Sequence, residues 1–166
     1  MRDGTEVLIR PIRPEDEPLL VDFHRTLSDQ SVYMRYFHAM GLSQRVAHDR
    51  LVRICFNDYD REIALVAENR DPETGKLRIL GVAILSKIHW TNDSEFSLIV
   101  NDAYHGRGLG TELLQRLIQV AKDEKLSCIR ADILPENYPM QHVCEKLGFK
   151  LKREMGADMV KARLDL

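Results

Sequence analysis

Cysteine is scarce in this sequence, with Cys55, Cys128 and Cys144 the only three among 166 residues. An odd number without C-x-x-C spacing suggests neither a disulfide framework nor a zinc knot, and it fits a reducing compartment. Long apolar runs are missing as well. Each apolar stretch is a few residues long, against the roughly 20 that a membrane-spanning helix needs. The opening Met1-Arg2-Asp3-Gly4-Thr5 has no apolar signal core, so no membrane partner is expected and a cytoplasmic location is. Neither sign of charge dominates. The 24 Lys and Arg stand against 26 Asp and Glu for a net charge of -2, with a pI near 6.3, and the two signs are interspersed. That excludes the basic stripe that nucleic-acid binding requires. His24, His38, His48, His89, His105 and His142 form no HExxH pair or other tight ligand pattern, so no metal is expected.

What is present suits one globular domain over residues 1–166. The sequence is 44% hydrophobic and 30% charged, without repeat or low-complexity linker. Glu6 to Ile12 reads as a first strand, stopped by Pro11 and Pro14. Pro14-Glu15-Asp16-Glu17 opens a helix carrying Leu19, Leu20, Phe23 and Leu27 at helical spacing. A second helix is expected from about Ser31 to Phe37, and a third from Ser43, capped by its hydroxyl, with Val46, Leu51, Val52 and Ile54 as its stripe. Runs at Glu62 to Ala67, Leu77 to Ile88 and Glu95 to Val100, separated by turn formers, read as three consecutive antiparallel strands. The period then changes. Leu109, Leu113, Leu117 and Val120 form one broad apolar helix face ending near Lys125. Cys128 to Leu134 reads as a strand and Asn137 to Leu147 as a helix ended by Gly148. Phe149 to Arg153 and Met159 to Leu166 read as a last strand pair. The fold class is therefore mixed α+β, antiparallel strands followed by a βαβ crossover whose flanking strands lie parallel.

The junction between the third of those strands and the long helix reads His105-Gly106-Arg107-Gly108-Leu109-Gly110-Thr111. Glycines at 106, 108 and 110 let backbone N–H groups converge at the positive end of a helix, where Thr111 adds a hydroxyl and Arg107 a full charge. A pyrophosphate suits such a cradle; a plain tight turn is the simpler alternative. The register is neither the P-loop G-x-x-x-x-G-K-[ST] nor G-x-G-x-x-G.

From Glu95 to Phe149 the chain resembles the GNAT acetyltransferases. The carriers are a strand ending in Val100, the Q/R-x-x-G-x-G/A loop on His105 to Gly110, and the N-x-x-M and K-x-G-F elements at Asn137, Met140, Lys146, Gly148 and Phe149. The resemblance implies acetyl-CoA as cosubstrate, with the backbone of Leu98, Ile99 and Val100 against the pantetheine arm. It also implies that His105, Gly106, Arg107, Gly108, Leu109, Gly110 and Thr111 hold the pyrophosphate and that Asn137 lies beside the arm. The strands around Glu95 and Ile133 should splay to make the cofactor wedge. His105 departs from the family's usual Gln or Arg.

An amine with a pKa near ~10.4 is free base in about one molecule in a few thousand at pH 7, so attack on a thioester needs a proton acceptor. Glu95 is the candidate base, with Asp93 and Glu62 in reserve; an ordinary solvated carboxylate is the alternative. A backbone N–H of the third strand, near Leu98, could stabilise the oxyanion. Where many family members have a tyrosine proton donor this sequence has Cys144, either a weak acid or a small core residue, and Tyr138 carries no assignment.

Ile12 to Asp16, Ser31 to Phe37, Tyr59 to Ala67 and Cys144 to Phe149 further resemble the acetyltransferase domain of bacterial Pat-type protein lysine acetyltransferases, often one part of a longer fusion. That implies a protein partner with an exposed lysine, for example an AMP-forming acyl-CoA synthetase. Asp58, Asp60, Glu62 and Asp93 could supply acidity to its groove, and Tyr33, Arg35, Tyr36 and Phe37 could line it or simply pack on the sheet. A GNAT enzyme for a small amine and a noncatalytic acyl-CoA sensor stay open as alternatives.

Overall fold

The computed structural model describes residues 4–56 and 60–166; Asp58, Tyr59 and the first three residues lie outside them. In chain order the elements are β1 (Leu8–Pro11), a 3-10 turn (Pro14–Asp16), α1 (Glu17–Arg25), α2 (Asp29–Tyr36), α3 (Leu42–Arg45), α4 (His48–Cys55), β2 (Glu62–Arg70), β3 (Leu77–Lys87) and β4 (Asp93–Val100). A second 3-10 turn (Asp102–Tyr104), α5 (Leu109–Asp123), β5 (Cys128–Ile133), α6 (Tyr138–Lys146), β6 (Lys150–Lys152) and β7 (Val160–Asp165) follow. Among the described residues no helix is long and apolar enough to cross a membrane.

The strands form one seven-stranded sheet in the order β1-β2-β3-β4-β5-β7-β6. β1 to β4 are antiparallel neighbours, as the turn signals imply. The α5 crossover then makes β5 parallel to β4. That parallel ladder is short: Asp93 faces Cys128, Ser94 faces Ile129 and Glu95 faces Arg130, and beyond Glu95 the two strands pair no further. The expected splay is thus present and begins immediately after the candidate base.

Helices cover the sheet unequally. On one face, Phe96 and Leu98 pack with Leu109, Leu113, Leu114, Leu117 and Ala121 of α5 and with Cys144 of α6. Each fully buried leucine contributes about 2 kcal/mol, which offsets the roughly 1 kcal/mol that a glycine such as Gly110 costs inside a helix. Gly81 allows the close approach, since a Cβ there would lie 2.9 Å from Leu113 Cδ1. On the other face, Ala64, Val66, Val82 and Ile99 pack with Leu20, Phe23, Val32, Leu51 and Cys55. Over β7 that second face is polar, with Lys161, Arg163 and Asp165 all exposed.

Several expectations need correction. β1 begins at Leu8 rather than Glu6, and Pro11 belongs to it, opposite Leu65. An edge strand has a ladder on one side only, so a residue without N–H is tolerated there. α2 begins at Asp29 rather than Ser31, because Ser28 Oγ accepts the Ser31 N–H at 3.1 Å and caps it; Phe37, at φ 67, ends it. Ser43 is not a cap. It sits inside α3, whose N-cap is Gly41 with no side-chain bond, and the single expected helix is two, α3 and α4. The buried Arg45 pins the break by donating from Nε to Met40 O at 3.1 Å and from Nη1 to His24 O at 2.8 Å.

Candidate active site

At the C-terminal end of β4 the chain turns through Asn101, whose Oδ1 accepts the Ala103 N–H at 2.9 Å. Gly106 (φ 74) and Gly108 (φ 88) then take the left-handed conformation that a side chain would strain. The first ladder bond of α5 runs from Glu112 N–H to Gly108 O at 3.1 Å. The amides of Leu109, Gly110 and Thr111 therefore have no backbone acceptor among the described residues and converge at the positive end of a 15-residue helix. A Cβ on Gly106 would meet nothing within 4 Å, so the space before the loop is open. Such a cradle binds phosphate oxygens.

Side chains brace it. His105 Nε2 lies 2.9 Å from Val100 O and ties the loop to the strand end. Because a carbonyl only accepts, that nitrogen carries the proton. The imidazole has a structural task, leaving backbone amides to face a ligand. The Arg107 guanidinium lies 4.8 Å above the Tyr104 ring. Asp102 accepts from Ser28 N–H (3.0 Å), Ser28 Oγ (2.6 Å) and Ser31 Oγ (3.1 Å), fastening the start of α2 to this loop. Burial raises the Asp102 pKa, but those hydrogen bonds outweigh it and the net shift is downward. Sequence reasoning missed this clamp, since nothing local joins positions 74 residues apart.

Leu98, Ile99 and Val100 lie on the part of β4 that has left β5. Across the gap, β5 ends at Ile133 and Asn137 caps α6, its Oδ1 accepting the Met140 N–H at 3.3 Å. The cradle and Asn137 thus stand at the same, C-terminal end of two diverging parallel strands, where open α/β sheets place ligands.

Glu95 stands at the other end of the gap. Glu62, Ser86, Glu95 and Arg130 face one another across β2, β3, β4 and β5, so all four project from the α1, α2 and α4 face. The reserves are engaged. Asp93 lies 3.5 Å from Arg130 and accepts the Cys128 thiol at 3.1 Å, and Glu62 accepts from Ser86 Oγ at 3.3 Å. Glu95 is exposed, with no hydrogen bond or ion pair among the described residues. Cys144 is fully buried and packs in the core with α5, and burial pushes its thiol up to about 12.

Of the residues expected to line an acceptor groove, Tyr33 and Phe37 are exposed, whereas Arg35 and Tyr36 line a small cavity with His24, Arg50 and Ser97. His24 and Arg50 were missed. The available signal was that His24 follows Leu20 by four and precedes Leu27 by three, which puts it on the apolar stripe of α1.

Residues 6–150 match the family model described as acetyltransferase (GNAT) domain. The chain belongs to the GNAT acetyltransferase family. As a GNAT enzyme it is an acetyl-CoA-dependent N-acetyltransferase, and the amide cradle and the gap beside it suit a pyrophosphate with an extended arm. The GNAT domain is 30% identical over 152 residues to an acetyltransferase of Pseudomonas aeruginosa, covering 92% of this chain and 79% of that one. The GNAT domain of S. lividans PAT superposes with a TM-score of 0.87 at 27% identity, covering 99% of this chain and 93% of that one. The fold is shared with PaiA N-acetyltransferase of Thermoplasma acidophilum, solved in complex with coenzyme A (TM-score 0.73, 17% identity, 98% and 100% coverage).

Proposed function

We propose that this single GNAT domain acetylates a lysine side chain of a protein, with Glu95 as general base and a cytoplasmic location. The observation that carries the reading is the setting of Glu95: an unengaged, exposed carboxylate on the last rung of the β4–β5 ladder, beside an open half-sheet. The helices of that face pack over the β2 to β4 half. On the β5 side the row continues through Arg130, half-buried, to the exposed Asp132 and Arg163, a side that a lysine on a protein surface can approach among the described residues. The likeness to the S. lividans PAT domain and the resemblance of Ile12 to Asp16 and Ser31 to Phe37 to Pat-type enzymes support the same acceptor class.

In this reading Leu109, Gly110 and Thr111 amides hold the pyrophosphate, Gly106 and Gly108 allow the loop its shape, and Arg107 adds charge. Leu98, Ile99, Val100 and Asn137 flank the pantetheine arm. Glu95 takes the proton of the attacking ammonium group, directly or through water, and the Leu98 region presents a backbone N–H to the carbonyl oxygen. The amine nitrogen bonds to the acetyl carbon, the carbon–sulfur bond breaks, and the second nitrogen proton passes through water to the leaving coenzyme A thiolate.

The test is thiol release from acetyl-CoA with AMP-forming acyl-CoA synthetases beside polyamines and amino acids, in wild type and Glu95→Gln. Turnover on a protein acceptor that falls about 100-fold in the variant, with acetyl-CoA affinity kept, is the expected result. Turnover confined to small amines would replace the protein acceptor by a small one. Unchanged turnover in the variant would remove Glu95 from the mechanism.

A further inference from the structure

The cavity between α1, α2, α4 and the β3–β4 face is small, about 40 Å³, with a mostly apolar floor that His24, Arg35, Tyr36, Arg50 and Ser97 interrupt. His24 is 4% exposed and its Nδ1 is buried without a hydrogen-bond partner. Arg35, half-buried, makes no hydrogen bond or ion pair among the described residues; its guanidinium lies over the Tyr36 ring at 4.7 Å. Among the described residues Arg50 donates to neutral oxygens, Arg45 O at 3.1 Å and the Tyr36 hydroxyl at 3.0 Å. Burial first, then the charges of Arg50, Arg45 and Arg35, hold His24 down to about 4. Burial likewise lowers Arg35, with Tyr36 and Glu62 pulling it back and the Arg50 charge adding to the lowering.

Gathering Arg35 and Arg50 at a recess where no described carboxylate hydrogen-bonds to them is costly, and an anion in the recess relieves the cost. A water needs roughly 10–15 Å³ of such volume, so the cavity accepts about three heavy atoms, as many as a carboxylate has. Ser97 on its wall is the next residue after Glu95 on that face of β4, roughly 7 Å along the strand.

We propose that this cavity is a carboxylate subsite for the acceptor: a carboxylate carried by the molecule being acetylated seats between Arg35, Arg50 and His24 while its amine lies at Glu95. The inference rests on the placement of the amine at Glu95 and specifies the acceptor further. The spacing excludes an α-amino group and its own carboxylate, which are too close together. It selects an amine and a carboxylate several bonds apart, either a lysine next to an acidic side chain in a protein or a small ω-amino acid.

Two measurements test it. Lysine peptides carrying Glu beside the lysine, compared with the same peptides carrying Gln, are expected to show a KM about tenfold lower at similar kcat. Arg35→Gln should abolish the discrimination and Arg35→Lys retain part of it; Arg35 has no hydrogen bond to lose, and acetyl-CoA affinity reports that the variants are folded. Independently of turnover, titration of the whole chain with 6-aminohexanoate, followed at the His24 ring by NMR, should saturate and raise the His24 pKa from about 4, while 6-aminohexanamide should not. A carboxylate preference seen with 6-aminohexanoate but no turnover on peptides would assign the subsite to a small acceptor, leaving the subsite standing and the protein-lysine reading overturned. Equal KM for acid and amide forms of both acceptor types, with an unmoved His24 ring, would overturn the subsite.

Discussion

Among the described residues the sheet buries leucines and no charged residue on the α5 and α6 face, whereas on the α1, α2 and α4 side Asp16, His24 and Arg45 are buried with the apolar residues. The first arrangement is a rigid support. It fixes the body of α5 by dispersion and burial, while the His105 and Asp102 hydrogen bonds brace the loop that precedes it. The second is held by specific polar contacts: Asp16 accepts both terminal nitrogens of Arg10, at 2.8 and 2.7 Å, and the Arg13 N–H at 2.7 Å. Charge buried beside a recess is a costly way to stabilise a layer and an effective way to select what enters it.

The contrast can be broken most strongly from the supporting face. Leu117→Ala empties a fully buried site in α5 and should cost about 2–5 kcal/mol in a urea titration while leaving KM for the acceptor unchanged. Glu95→Gln, on the opposite face, should do the reverse, with turnover down about 100-fold and stability within about 0.5 kcal/mol.

Acid should act on the polar face. His24 is held below 6.5, at about 4, so between these values the unfolded chain binds the proton and the folded one does not. Stability then falls as pH drops through that window, by on the order of 3 kcal/mol at most. For Asp16, burial raises the pKa, but hydrogen bonds from Arg10 and Arg13 bring it below 3.8 net, so its contribution is lost as pH falls further. His48, raised by Glu17, works the other way but is fully exposed. Unfolding free energies measured from pH 7 to 4 should show the slope, and His24→Gln should flatten it.

Gly108→Ala should raise the KM for acetyl-CoA about tenfold by straining the left-handed turn into α5. Ser28→Ala, which removes the α2 cap and one bond to Asp102, should cost about 1 kcal/mol in the same urea titration.

Much of this was legible because it is local. The glycine register 106, 108 and 110, the leucine period of α5 and the turn signals between β2, β3 and β4 depend on neighbouring residues, and the structure follows them. The chain itself thus determined the α+β class, the antiparallel run, the crossover and the cradle. Local signals misled where a long-range partner competed: Ser43 is a good cap by type, but Arg45, reaching back to His24 O, breaks the helix elsewhere. Only the tertiary structure decided that β7 slots between β5 and β6, that Asp93 and Glu62 are engaged while Glu95 is not, that Cys144 is core, and that His24, Arg35 and Arg50 meet around one recess. Each depends on residues brought together from distant parts of the chain, whose contact energies no short stretch of sequence encodes.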